Sequence, residues 1–132
     1  MSTTAEPSWR IERRDAHRLV LVTTQGPFSM KHFMAMVPEA LAASLEPGYT
    51  GFVFDHRLMV PKLTTSEIYR LPTLFERQGW TRGMRVAVVH PPGQHGARQF
   101  EFFASLAVAR SFQYQLFAEL DAAIAWAAEE VD

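Results

Sequence analysis

The chain has 132 residues, 48% of them hydrophobic, with 13 Lys and Arg against 14 Asp and Glu and no cysteine. That length suits one domain able to bury roughly two-thirds of its unfolded surface. The formal net charge of −1 favours neither nucleic acid nor an anionic membrane surface as a partner, and the lack of cysteine excludes disulfides, thiolate metal sites and cysteine nucleophiles, in keeping with a reducing cytoplasm.

Residues 1–8 read as a disordered leader and 9–130 as a single domain. The start, MSTTAEPSWRIERRD, has no apolar signal core, and no later run approaches the roughly 18 to 20 apolar residues that span a bilayer. No integral membrane segment is expected, and the chain reads as cytoplasmic. Residues 9–14 alternate Trp9 and Ile11 with charged side chains, the pattern of an edge strand with one wet face. The short connection Asp15, Ala16, His17 leads into the apolar run 19–24, so the first two strands form an antiparallel hairpin. Gln25, Gly26 and Pro27 are expected to break the second strand. Ser29 then caps a helix over 30–45 with Phe33, Met34, Val37, Leu41 and Leu45 at helical spacing, and Pro38 is expected to kink or split it.

A third strand follows over 51–55, and Thr64 with Glu67 forms a capping box that starts a second helix, with Ile68, Leu71, Leu74 and Phe75 on its apolar stripe and Gly79 closing it. The fourth strand covers 84–90, a third helix 97–111, a fifth strand 114–118 and a last helix 119–130. Strands alternating with helices of this length require a mostly parallel sheet, because parallel neighbours need a long crossover. The fold class is therefore α/β: a five-stranded, mostly parallel sheet built from an antiparallel hairpin and then α-β-α-β-α-β-α. If its helices lie mainly on one face, the apolar strands 19–22 and 86–89 leave the other in need of cover, and a homodimer is one cover.

Ligands of open α/β sheets sit beyond the carboxyl ends of the strands. There the loops expected after the strands gather Asp55, His56, Arg57, His90 and His95. Imidazole binds metal and titrates near neutrality, but the spacing matches no ligand signature, and the preferred reading is no metal, no cofactor and no catalytic residue. The stretch PPGQHG before a helix, with Arg98 beside it, has the general geometry of an anion site but lacks the lysine and hydroxyl of a P-loop. Met30, Met34, Met36 and Met59 with Phe28 and Phe33 fit ordinary core packing, or the lining of a small apolar ligand site.

The element order, the strand FVFDHR, the segment GARQFEFFASLA after the fourth strand and the final DAAIAWA together resemble the STAS or SpoIIAA-like superfamily, the fold of the anti-sigma-factor antagonists, and within it a branch of small stand-alone bacterial proteins. The resemblance covers nearly the whole chain. It implies a right-handed βα superhelix with sequential strands, grouped at the fold level with lipid-binding CRAL-TRIO domains. In the antagonists a serine in an Asp-Ser-Ser-Gly turn at the start of the second helix is phosphorylated, which breaks partner binding. Here that stretch is LTTSE, without the Asp and Gly, and Thr65 and Ser66 are the hydroxyls left beside the capping Thr64.

The sequence reading is thus a non-enzymatic STAS-like regulatory or scaffold domain that binds a protein partner through a rim of Phe28, Ser29, Phe33, Asp55, His56, Arg57, Thr64, Thr65, Ser66, His90, His95 and Arg98. One alternative is a carrier or sensor of a small apolar or anionic ligand around Phe28, Phe33, Met34 and Met59. The other is an enzyme using the His and Asp55 cluster, which needs those side chains to converge within hydrogen-bond reach.

Overall fold

The computed structural model describes residues 6–128, apart from the side chains at positions 95 and 96. Among these the chain forms β1 (Ser8–Arg14), β2 (Leu19–Phe28), α1 (Met30–Leu45), β3 (Gly51–Pro61), α2 (Thr65–Gln78), β4 (Arg85–Val89), α3 (Gln94–Ala109), β5 (Gln113–Phe117) and α4 (Leu120–Ala127). The strands lie in sequence order, with β1 antiparallel to β2 and the rest parallel, as the rhythm of the sequence predicts. Residues 1–5 of the expected leader and the end of the last helix from 129 lie outside the described residues; β1 begins at Ser8.

Side-chain alternation along the strands creates two apolar faces. Val20, Val22, Phe52, Phe54, Val86 and Val88 point to one face, where α1, α2 and α3 cover them with Phe33, Met36, Ile68, Leu71, Phe75, Phe100 and Phe103. Leu19, Leu21, Val53, Ala87 and Val89 point to the other, where Ala123 and Ala127 of α4 join them. The second face is therefore not left bare, which removes the reason given for a dimer. Close seating of α4 depends on Gly51, since a Cβ there would collide with the carbonyl oxygen of Ala127.

Three local expectations are corrected. Gln25, Gly26 and Pro27 do not end β2, which continues to Phe28 alongside β3. Pro27 is tolerated because β1 pairs no further than Gln25, so the strand beyond it is bordered on one side only. Similarly, β3 does not stop at Asp55 but runs on to Pro61, so Asp55, His56 and Arg57 belong to a strand rather than to a loop. Finally, α3 starts at Gln94, within the stretch expected to be loop, directly after Gly93 at φ 87°.

Pro38 also fails to split α1, which is a single 16-residue helix. A proline leaves the carbonyl four residues earlier without its N–H partner, here that of Met34. The side chain of Gln78 at the end of α2 supplies the missing donor, its Nε2 lying 3.0 Å from the Met34 oxygen. The defect in one helix is thereby turned into a tie to the next. Gln78→Leu should cost about 1–2 kcal/mol in urea unfolding, and in a Pro38→Ala background, where the backbone donor is restored, the same substitution should cost less than half as much.

Candidate functional site

The geometry of the site starts from a bulge. Thr23 pairs with Asp55 and Gln25 with Leu58, so His56 and Arg57 together oppose the single residue Thr24. Such an extra residue bends a strand and re-aims its side chains. β4 pairs with β3 only as far as Asp55, and β3 from His56 to Pro61 therefore extends past β4 with β2 on one side.

Asp55 and His56 are neighbours on a strand and so face opposite sides of the sheet. His56 enters the face under α1 to α3, 3% exposed, with its ring against those of Phe33, Phe54 and Phe100. Its Nδ1 lies 2.7 Å from Thr24 Oγ1, which in turn lies 3.2 Å from the Asp55 carbonyl oxygen. Both bonds are satisfied when Nδ1–H donates to the threonine and the hydroxyl donates onward to the carbonyl, which makes the imidazole the neutral Nδ1–H tautomer. Burial drives the His56 pKa down to about 3.

Asp55 instead belongs to the α4 side, where both its oxygens are taken by Arg57, Nε at 2.9 Å and Nη2 at 2.7 Å. Burial alone would raise this carboxyl, but the Arg57 hydrogen bonds outweigh it and hold the pKa below the usual aspartate value. The ion pair ties down the extended strand and favours the ionised carboxylate.

The other rim residues separate in the same way. Phe28 and Phe33 are core side chains in edge-to-face contact with each other. Ser29 caps α1, its backbone N–H donating to Nδ1 of His32 at 3.0 Å. Thr64 and Glu67 form the expected capping box, with bonds of 3.1 and 2.8 Å, and Thr65 and Ser66 are exposed beside it. His90 is held by its own chain, Nδ1 lying 2.8 Å from the Pro91 carbonyl oxygen, and Arg98 is exposed. The side chain of His95 lies outside the described residues. Among the described residues the His and Asp55 cluster is not brought together: Asp55 and His56 are on opposite faces, and no group of three described His, Cys, Asp or Glu side chains could hold a metal ion.

What the fold does assemble is an apolar cavity of about 80 Å³ between α1, α2, α3 and the sheet, with His56, Trp80, Gln99 and Tyr114 among its otherwise apolar lining. Of the expected ligand-lining residues Phe33 and Met36 are part of it; Phe28 and Met59 are buried in the core, and Met34 packs beside Gln78. Trp80 Nε1 and Gln99 Oε1 are buried with no hydrogen-bond partner among the described residues. The sequence signal for this pocket was the spacing of Phe75, Trp80, Phe100, Phe103 and Tyr114, which marks a core but does not say that the core is incompletely filled.

The architecture on which this cavity depends is shared with solved proteins. Over 96% of this chain and 98% of the other, it superimposes on an anti-sigma factor antagonist from Mycobacterium paratuberculosis with a TM-score of 0.57 and 19% identity. An uncharacterized protein with a SpoIIAA-like fold from Shewanella loihica matches over 97% and 99% of the two chains, with a TM-score of 0.61 and 16% identity. The fold is SpoIIAA-like. No family model and no curated protein matches the chain. Within this SpoIIAA-like domain, no helix among the described residues is long and apolar enough to cross a membrane.

The buried imidazole gives the domain a defined acid sensitivity. The folded state holds His56 neutral down to about pH 3, whereas in the unfolded chain it takes up a proton below about 6.5. Its contribution is therefore complete above pH 6.5 and declines as pH falls from there towards 3, by at most about 1.4 kcal/mol per pH unit. Urea unfolding followed from pH 7 to pH 4 should show this decline, and His56→Gln should flatten it.

Proposed function

We propose that this protein is a non-enzymatic, STAS-like regulatory domain that binds a protein partner through the projecting end of β3 and the start of α2. One observation carries the reading: Leu58 and Val60, 68% and 50% exposed, stand on the part of β3 that outruns β4. Large aliphatic side chains at a strand end, followed along the chain by the exposed Lys62, Thr65 and Ser66, have the composition of a docking surface, apolar groups with polar neighbours. The likeness in fold to an anti-sigma factor antagonist supports a regulatory role of this kind. Thr65 and Ser66 are free to be modified there, and a phosphate at either would place about two negative charges on the border of the patch. Arg57, Arg98 and the loop around His90 and His95 complete the proposed rim; the buried Phe28, Phe33 and His56 support it from behind.

A second reading, a sensor or carrier of a small apolar ligand, is favoured by the cavity and its unpartnered Trp80 and Gln99 side chains. The two readings are compatible, since the docking surface is outside the helices and the cavity beneath them.

A photo-crosslinking residue placed at Leu58 or Val60 in the native cell should capture a partner protein that the same residue at Leu45, exposed at the far end of α1, does not. The capture should fall at least about ten-fold when the other of the two positions is changed to Glu, the loss of roughly 1.4 kcal/mol expected for a central apolar contact. Equal capture from Leu45, or none from positions 58 and 60, would refute the assignment of this surface.

A further inference from the structure

The outer side of α2 carries positive charge without a local counter-charge. Arg70, Thr73, Leu74 and Arg77 recur at helical spacing and so share one face, where together with Tyr69 they line a shallow groove. Arg70, Arg77 and Tyr69 are exposed, and Leu74, which falls between the two arginines along the helix, is half-buried. At about 1.5 Å of rise per residue, the two arginine positions are about 10.5 Å apart along the helix axis.

A helix ordinarily neutralises such residues with acids three or four positions away. Here the nearby acids are engaged elsewhere. Glu67, three residues before Arg70, accepts the Thr64 N–H at 2.8 Å. Glu76 is taken by two other arginines, Oε2 by Arg82 at 2.8 Å and Oε1 by Arg110 at 3.4 Å, and Arg110 also donates to Thr73 Oγ1 at 2.7 Å, at the groove itself. Among the described residues neither Arg70 nor Arg77 has a hydrogen bond or an ion pair. Four arginines thus stand against two glutamates around α2, on a chain whose formal net charge is −1.

We propose that this face of α2 is the docking site for an acidic helix of the partner protein, two of its carboxylates received by Arg70 and Arg77 and an apolar side chain between them seated over Leu74. This rests on the protein-binding reading of the start of α2 and adds the chemistry of the partner. A helix fits where a strand does not. Helical residues at i and i+7 share a face about 10.5 Å apart with i+3 and i+4 between them, whereas same-face residues of a strand are about 6.7 or 13 Å apart. A nucleic acid backbone or an anionic membrane needs a wider basic surface than these two arginines provide.

Photo-crosslinking from Leu58 in the native cell gives the first readout. Capture of the partner should fall at least about ten-fold when Arg70→Gln and Arg77→Gln are combined, and should stay within about two-fold in Arg98→Gln, which removes an exposed arginine from α3. Since both arginines of the double variant are exposed and unpaired, its urea midpoint should match that of the wild type, which separates lost binding from lost folding. The second readout is titration with a stapled helical peptide bearing Glu at i and i+7 and Leu at i+3 and i+4. It should bind saturably and shift the Arg70 and Arg77 Nε–H resonances in ¹H–¹⁵N spectra, and the same peptide with Gln in place of both Glu should bind at least about ten-fold more weakly. Unchanged capture from Leu58 in the double variant, or a Gln peptide that binds as well as the Glu peptide, would overturn the acidic helix while leaving the docking surface in place. Tighter binding of duplex DNA or of phosphatidylglycerol vesicles at the same two arginines would overturn it in favour of a different anion. No capture from Leu58 in the wild-type protein would refute the docking surface, and the acidic helix with it.

Discussion

The pairing of β2 with β3 across one bulge is the constraint on which the rest of this structure depends. Strand alternation sends His56 with Phe52 and Phe54 towards the helix-covered face and leaves Arg57 on the side of Asp55. Because two residues of β3 share the place opposite Thr24, the parity then shifts, so that Met59 rather than Leu58 enters the core. A buried imidazole among three phenyl rings is tolerable only if its N–H finds an acceptor, and the Thr24 hydroxyl, itself bonded to the Asp55 carbonyl, supplies one. β3 continues past the end of β4, and the Asp55 and Arg57 pair pins that continuation on the α4 side. One extra residue thus decides that Met59 is buried while Leu58 and Val60 are exposed, and alternation separates the two groups that would otherwise have resembled an acid–base pair.

Most of the architecture was legible in the sequence because it follows from local chemistry. Period-2 apolar runs mark strands, the Thr64 and Glu67 pair marks the start of α2, and long crossovers force parallel neighbours. The failures share a different cause, since each depends on a partner distant in the chain. Pro38 breaks an isolated helix, but not one whose orphan Met34 carbonyl is met by Gln78, 44 residues later. Gln25 to Pro27 stop a strand bordered on both sides, but not one that β1 has already left. The cover over the second face comes from Ala123 and Ala127, whose helical spacing marks an inner stripe but not the face of the sheet on which the last helix lies.

The candidate site was less legible for the same reason, sharpened by parity. A sequence reading can place Asp55, His56 and Arg57 near the carboxyl end of a strand, but whether they meet turns on whether the chain is loop or strand there. In a loop the three can converge. In a strand, adjacent residues are driven to opposite faces, and the ion pair at i and i+2 is what remains. Nor can the spacing of aromatic residues disclose a cavity: Phe75, Trp80, Phe103 and Tyr114 would read identically in a core filled to ordinary density. Only the packing of the helices on the sheet shows that space is left between them.

The proposed surface and the proposed interior site meet in α2. Ile68, Leu71 and Phe75 of that helix line the cavity, while Thr65, Ser66 and the two-thirds-exposed Tyr69 face outward, and Gln78 at its end is bonded to α1. A close-packed helix does not absorb a new volume beneath it without moving as a unit. Any change in how α2 sits when the cavity is occupied is therefore carried to the residues of the docking surface, and by linkage a partner that holds α2 in one position changes the affinity of the cavity by the same factor. α2 is thus an element that both proposed sites share.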